Sequence, residues 1–282
     1  MLLGLILLLS LAAAAADWLH FRRARRARLR RLSLAWAAAT DALPLAGVGM
    51  GLLCRDNPTP VVMASMWLFW VWMATVLPRL AFYAFNFFGL RRTGLAAAAA
   101  VFAALVIGVT AGRTSLRVSR TEVCSPALPA TFDGLRIVQL SDIHLGTIVS
   151  PGRELTRLAD RVNALRPDLV LFTGDLVNIR ASELDSTAVR LLRRIEAPVY
   201  SVTGNHDVGK YIKDSLRHPA AESLREVIAR QRAMGWRVLD DETVYLRRGG
   251  DSIALTGLSL AAFRRRLPIE EVCGGKPEWP AP

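Results

Sequence analysis

The sequence predicts an α/β domain preceded by an all-α transmembrane region of about four helices. Three observations predict this. Residues 1–112 are dominated by Ala, Leu, Trp, Phe and Met and hold few acidic groups. From residue 113 onward, apolar runs alternate with charged stretches in the order strand, helix, strand, helix, strand. Three short polar segments, Asp142-Ile143-His144, Gly174-Asp175 and Gly204-Asn205-His206-Asp207, each follow one of the apolar runs. The expected organisation is therefore a transmembrane region over residues 1–112 and a second domain over residues 113–282.

The first apolar segment, residues 1–19, has its positive charges after it rather than before it. That order fits an uncleaved anchor better than a cleaved signal peptide. The second segment, residues 34–53, contains Asp41 and Pro44. A lone carboxylate in hydrocarbon is costly and normally faces protein or water. The third, residues 61–77, carries Trp67, Trp70 and Trp72, and Pro78 after it is expected to end or kink the helix. The fourth, residues 94–111, is Ala-rich and uncharged. At about 1.5 Å rise per residue, helices of this length approach the roughly 30 Å of a hydrocarbon core.

The net charge of +12 could suggest nucleic acid. Its largest concentration lies elsewhere. Seven arginines crowd into FRRARRARLRR, residues 21–31, directly after an apolar segment. That is the positive-inside pattern, so no nucleic acid is expected as a specific partner. Residues 22–31 then lie inside, and alternate crossings put the second domain on the outer face of the cytoplasmic membrane. The cysteines, Cys54, Cys124 and Cys273, form no CxxC pair and imply neither a disulfide framework nor a thiolate metal site.

In the second domain, residues 115–121 alternate and read as a strand. Residues 135–140, 169–172 and 197–202 read as further strands. Residues 151–165 read as a helix with Leu155, Leu158, Val162 and Leu165 on one face. Residues 184–195 are amphipathic, and residues 220–234 form another helix. Short strands are expected at 238–239, 243–246 and 253–255. Ligands of open α/β sheets gather at the carboxyl ends of the strands, so the three polar segments should share one edge.

These segments mix carboxylate, imidazole and amide oxygen, a donor set suited to divalent metals. Asp142 and His144, two apart on a strand or its extension, should point the same way. Asp175 follows Gly174, which suits a tight turn or close backbone approach. Asn205 offers a neutral amide oxygen, and Asp207 could orient the His206 imidazole. Two metals about 3.5–4 Å apart would clamp a phosphoryl group and activate water. An imidazolium could protonate the leaving oxygen. Peptide hydrolysis finds no HExxH signature here.

At LSDIH (residues 140–144), FTGD (172–175) and VTGNHD (202–207), the chain resembles the calcineurin-like metallophosphoesterase family. The approach FDGLRIVQLSDIHLG, residues 132–146, resembles its membrane-associated bacterial branch. The resemblance implies a β-sandwich of two sheets flanked by helices. It implies Asp142 and His144 on a first metal, Asp175 bridging, Asn205 on a second, and His206 as the catalytic residue. The implied cofactors are two divalent ions, Mn, Fe or Zn. The implied function is hydrolysis of phosphate ester or pyrophosphate bonds in a small-molecule or lipid-linked substrate by a multi-pass bacterial membrane protein in contact with membrane lipid. The family also supplies a later histidine and a GHxH segment. Past His206 this chain has only His218, with no glycine before it, so the domain is expected to be C-terminally incomplete. A noncatalytic membrane scaffold on a degenerate domain is the rival expectation.

Overall fold

The computed structural model describes residues 2–22 and 27–260. Expectations for residues 261–282, including Cys273 and an irregular tail, fall outside the described residues. The chain divides into two compact units. One comprises Met1–Arg55 and Pro60–Leu116; the other comprises Asp56–Thr59 and Arg117–Pro282. The short turn Asp56–Thr59 therefore belongs with the second unit, although its neighbours in sequence belong to the first.

The first unit is helical: α1 (Leu2–Phe21), α2 (Ala27–Asp41), α3 (Leu43–Leu53), α4 (Thr59–Asn86) and α5 (Arg91–Ile107). Gly4–Phe21, Arg30–Leu53, Thr59–Asn86 and Arg91–Gly112 are each long and apolar enough to cross a membrane, which marks a multi-pass membrane protein. The second stretch is broken at Ala42, two residues before Pro44, as a proline near a helix start permits. Pro78 does not end the helix. α4 runs through it as one helix to Asn86, so the aromatic stretch after it extends the helix rather than starting a new element.

Asp41 is not a lone carboxylate. Arg79 on α4 donates to Asp41 Oδ1 at 2.5 Å and to Asp17 Oδ2 on α1 at 2.8 Å. Arg79 also donates to Thr40 Oγ1 at 2.9 Å, and the Tyr83 hydroxyl donates to Asp17. Arg79 is only 12 % exposed at its side chain and ties three helices together. Removing such a charge would strand two carboxylates in an apolar setting, which is why sparse polar groups here come as a set.

The second unit is built on a parallel sheet in the order β1 (Ile137–Leu140), β2 (Leu169–Phe172), β3 (Val199–Ser201) and β4 (Arg237–Val238). Helices α6 (Pro151–Ala164), α7 (Ser186–Leu192) and α8 (Ala220–Ala233) connect successive strands, and β5 (Glu242–Arg248) pairs antiparallel with β6 (Asp251–Gly257). Among the described residues, the run at 115–121 forms no strand and pairs with no neighbour in either sheet; alternation alone does not secure a strand. The helix expected over 184–195 shortens to α7, whose Asp185 cap accepts from Ala188 N at 2.8 Å.

One core lies under this sheet. α6 buries Leu155, Ala159 and Val162, spaced as one helical face requires. They meet Val170 and Phe172 of β2, Leu192 of α7, Val227 of α8 and Trp236. The register aligns Leu140 with Phe172 and Phe172 with Ser201, so the carboxyl ends of β1, β2 and β3 form one row. All three polar segments begin just beyond that row.

Candidate metal centre

The site starts where the strands stop. β1 ends at Leu140, and Asp142 and His144 both adopt positive φ, 56° and 46°. Asp175 does the same at 61°. The expected strand extension through Asp142 and His144 is therefore replaced by a tight left-handed path. Such a backbone is uncommon for non-glycine residues, and it clusters where the surrounding structure over-determines the chain. The restraints are visible. Asp142 N donates to Gly174 O at 3.0 Å, and His144 N donates to Asp175 O at 3.1 Å. Two strand ends are thus laced together immediately beneath their side chains.

Gly174 makes that lacing possible. Its φ is 101°, and a Cβ there would sit 2.5 Å from Gly204 N. Only glycine lets the end of β2 lie against the segment after β3.

Asp207 is the second fixture, and it does something other than expected. It is fully buried and does not orient the His206 ring. Its carboxylate accepts from Asp175 N at 2.8 Å, Leu176 N at 2.9 Å, Val177 N at 3.1 Å and Gly204 N at 2.9 Å. Burial pushes this carboxyl above the ordinary range, against the pull of the backbone donors from Gly204, Val177 and Asp175. The His206 imidazole is instead oriented by the Asn178 carbonyl, 2.6 Å from Nδ1. The His206 backbone N–H donates to Asp175 Oδ1 at 2.8 Å.

The resulting arrangement is compact. His144 Nε2 lies 3.4 Å from Asp142 Oδ1 and 3.9 Å from Asp175 Oδ2. Ligand atoms of His144, Asp175 and His206 all fall within 4.8 Å of one another. The His144 and His206 rings meet edge to face with centroids 4.4 Å apart. Asp142, Asp175 and Asn205 line a cavity of about 270 Å³, together with Ser141, Thr173 and Leu258. The structure thus brings together every residue predicted for the site: Asp142, His144, Asp175, Asn205 and His206. His218 is elsewhere, 3.7 Å from Asp56.

Several residues beyond those motifs also shape the site. Glu183 ties its own loop after β2 to the loop after β1 by accepting from Gly146 N at 3.1 Å, Asn178 N at 2.5 Å and Ile179 N at 3.0 Å. Burial pushes its carboxyl above the ordinary value of 4.5, opposed by the hydrogen bonds from Asn178, Ile179, Gly146 and Thr59. The folded state then holds this proton more tightly than the unfolded chain. Its contribution to stability is complete below pH 4.5 and is lost as pH rises through the raised folded value. We expect chemical unfolding of wild type and Glu183→Gln to show it: the stability of wild type relative to the variant should fall above pH 4.5. A gap that is flat or widens with pH would contradict this. Tyr211 stacks on His206 with centroids 4.2 Å apart, and its hydroxyl accepts from Asn205 Nδ2 at 3.1 Å. A glutamate eight residues past Asp175 and a tyrosine five past His206 carry no motif spacing, so the sequence alone does not single them out.

A parallel sheet with carboxylates, imidazoles and an amide at its carboxyl edge offers the donor set of a divalent-metal site. Residues 135–279, just over half of the chain, match the calcineurin-like phosphoesterase family, and the chain belongs to it. It is 39% identical over 103 residues to a transmembrane protein with metallophosphoesterase domain of Danio rerio, covering 36% of this chain and 23% of that protein. It is 31% identical over 117 residues to the UDP-2,3-diacylglucosamine pyrophosphatase LpxG of Chlamydia muridarum, covering 41% of this chain and 35% of that one. It is 37% identical over 90 residues to the metallophosphoesterase YkuE of Bacillus subtilis, covering 31% of each. These matches span between about a quarter and a third of the relatives' own lengths. They come from a vertebrate as well as from bacteria, so the likeness is not confined to a bacterial branch. No solved structure is significantly similar to the chain.

Proposed function

We propose that this protein hydrolyses a phosphate ester or pyrophosphate bond at a membrane, using two divalent cations, Mn, Fe or Zn, held at the carboxyl edge of β1–β3. The observation that carries the reading is the convergence of Asp142, His144, Asp175, Asn205 and His206 from three separate strand ends. The donor chemistry fits such ions. Carboxylate, imidazole and amide oxygen are the ligands that hard and borderline divalent cations take. His144 supports it further: its Nδ1 is buried without a hydrogen-bond partner among the described residues. Its Nε2 stands 3.4 Å and 3.9 Å from two carboxylates, too far for strong hydrogen bonds.

Asp142 and His144 would hold one ion and Asn205 the other, with Asp175 contributing to both. The ions, when bound, polarise the phosphoryl oxygens and lower the pKa of water. The chain's own residues do the rest. The Asn178 carbonyl accepts a hydrogen bond from His206 Nδ1–H, which keeps that proton on Nδ1 and leaves Nε2 for proton exchange with the leaving oxygen. Asp175 Oδ1 holds the His206 backbone in place, and Asp207 holds that of Asp175. The 1–112 region tethers the catalytic region 113–282, which favours a substrate at the bilayer, small or lipid-linked. With four crossings, the turn before α4 and the chain after residue 112 emerge on one side. The arginines of residues 22–31 argue that this is the outer face of a bacterial cytoplasmic membrane.

The test is hydrolysis of bis-p-nitrophenyl phosphate by the purified chain in detergent, stripped by chelator and then given Mn(II). Turnover should return with the metal. His206→Gln should lower the rate constant by roughly 100-fold, the scale of a lost general acid, while Mn(II) remains bound. Turnover that survives the chelator, or a His206→Gln rate equal to wild type, would refute the assignment.

A further inference from the structure

The turn Asp56–Thr59 joins α3 to α4, yet its side chains are built into the second unit. Asn57 is only 9% exposed. Its Nδ2 donates to Tyr211 O at 2.8 Å, and its Oδ1 accepts from Lys213 N at 3.0 Å and Arg180 Nη2 at 3.3 Å. One amide thus spans residues 211 and 213 as a neighbouring strand would. Asp56 locks the turn in place. Its two carboxylate oxygens accept from the two Nη groups of Arg180, the Nη1 bond being 3.1 Å, and its own Oδ1 accepts from Asn57 N at 2.8 Å. The Arg180 hydrogen bond holds the Asp56 carboxyl below the ordinary carboxylate range. A fork-to-fork guanidinium pair fixes direction as well as distance.

The segment that Asn57 grips carries Tyr211, and Tyr211 touches two residues of the site. Its ring lies 4.2 Å from the His206 ring, and its hydroxyl accepts from Asn205 Nδ2 at 3.1 Å. The second contact has a chemical consequence. An amide ligates a cation through oxygen only. With Nδ2 committed to Tyr211, the oxygen of Asn205 is the atom left to serve a cation.

We propose that the turn between the two membrane helices is a positioning element of the catalytic site: Asn57 fixes Tyr211, and Tyr211 sets the amide of Asn205 and the ring of His206. This rests on the metal-dependent reading of the site. Neither Asn57 nor Tyr211 touches the reacting atoms; both act through Asn205 and His206. Residues 113–282 alone then lack one of the side chains that shape their own site, because Asn57 belongs to the same compact unit but lies outside that range.

The experiment uses the full chain in detergent with Asn57→Ala, the milder Asn57→Asp, Tyr211→Phe and the Asn57→Ala/Tyr211→Phe double variant. Asn57→Asp keeps the acceptor for Lys213 and Arg180 and loses only the donor to Tyr211. Two quantities are read: amide hydrogen exchange over residues 205–213 in metal-free protein, and Mn(II) affinity by calorimetric titration. Both Asn57 variants should speed exchange over 205–213 and leave the rest of the sheet protected. Asn57→Ala and Tyr211→Phe should each weaken Mn(II) binding about 10-fold, the lower range for a lost partner of a ligand. The double variant should be no weaker than the worse single, since both lie on one path. Unchanged exchange at 205–213 in both Asn57 variants would overturn the proposal. So would Mn(II) losses that multiply in the double variant. If wild type binds no Mn(II), the metal reading itself fails, and the exchange result alone then decides whether Asn57 holds Tyr211.

Discussion

Asp207→Ala should lower the stability of the second unit by at least about 2 kcal/mol. The carboxylate is fully buried and accepts from four backbone N–H groups, those of Asp175, Leu176, Val177 and Gly204. A buried donor left without an acceptor costs about 1–3 kcal/mol; alanine leaves two of them, Leu176 N and Val177 N, beside the part-buried Asp175 N and Gly204 N. Net domain stability is only about 5–15 kcal/mol, so the loss is a large share of it. Asp207→Asn should fall between the two, because its amide oxygen still accepts while its NH₂ faces donors. Chemical unfolding in detergent measures both. A loss below about 1 kcal/mol in Asp207→Ala would mean that water or local rearrangement replaces the carboxylate easily.

Gly174→Ala should be nearly as damaging, and it should damage the chemistry more than the fold. The φ of 101° is strained for any L residue, and the added Cβ would lie 2.5 Å from Gly204 N and 2.7 Å from Gly204 Cα. Backbone strain of this kind costs about 1–3 kcal/mol before the overlap is counted. The overlap is with backbone, so it is relieved only by moving the ends of β2 and β3 apart. That movement separates Asp175 from Asn205 and pulls on Asp142, whose N–H is bonded to Gly174 O. A displacement of about 1 Å at a catalytic centre can cost roughly 100-fold in rate. We expect at least that loss of turnover in a variant that still folds. Wild-type turnover in a folded Gly174→Ala would show that the close approach is dispensable.

These two residues mark what the sequence discloses and what it conceals. Apolar runs before Asp142, Asp175 and Asn205 announce strands, and the parallel order follows from the helices between them. The glycine at 174 signals a tight place. The path through Asp142 and His144 is different. Alternation predicts an extended backbone there, and the left-handed turns that replace it are imposed by bonds from Asp142 and His144 to the next strand's end. Asp207 reads as a partner for its neighbour His206; only the fold reveals four N–H groups closing on it. Pro78 does not stop α4, which carries it within its length. Tyr211 and Asn57 are the extreme case. They are 154 positions apart, and no local pattern links a turn between membrane helices to a loop after β3.

The most direct test of the account is the metal content and turnover of Asp175→Asn beside wild type, with both proteins folded to the same extent. Asp175 lies within reach of both imidazoles and lines the shared cavity, so it is the residue on which the proposed centre depends most. The substitution keeps the shape and the Oδ1 acceptor for His206 N while removing the charge. The account predicts that Asn at this position weakens Mn(II) binding and lowers diester turnover by at least about 100-fold, the upper range for losing even an outer partner of a metal ligand. Wild-type Mn(II) stoichiometry and rate in Asp175→Asn would contradict it.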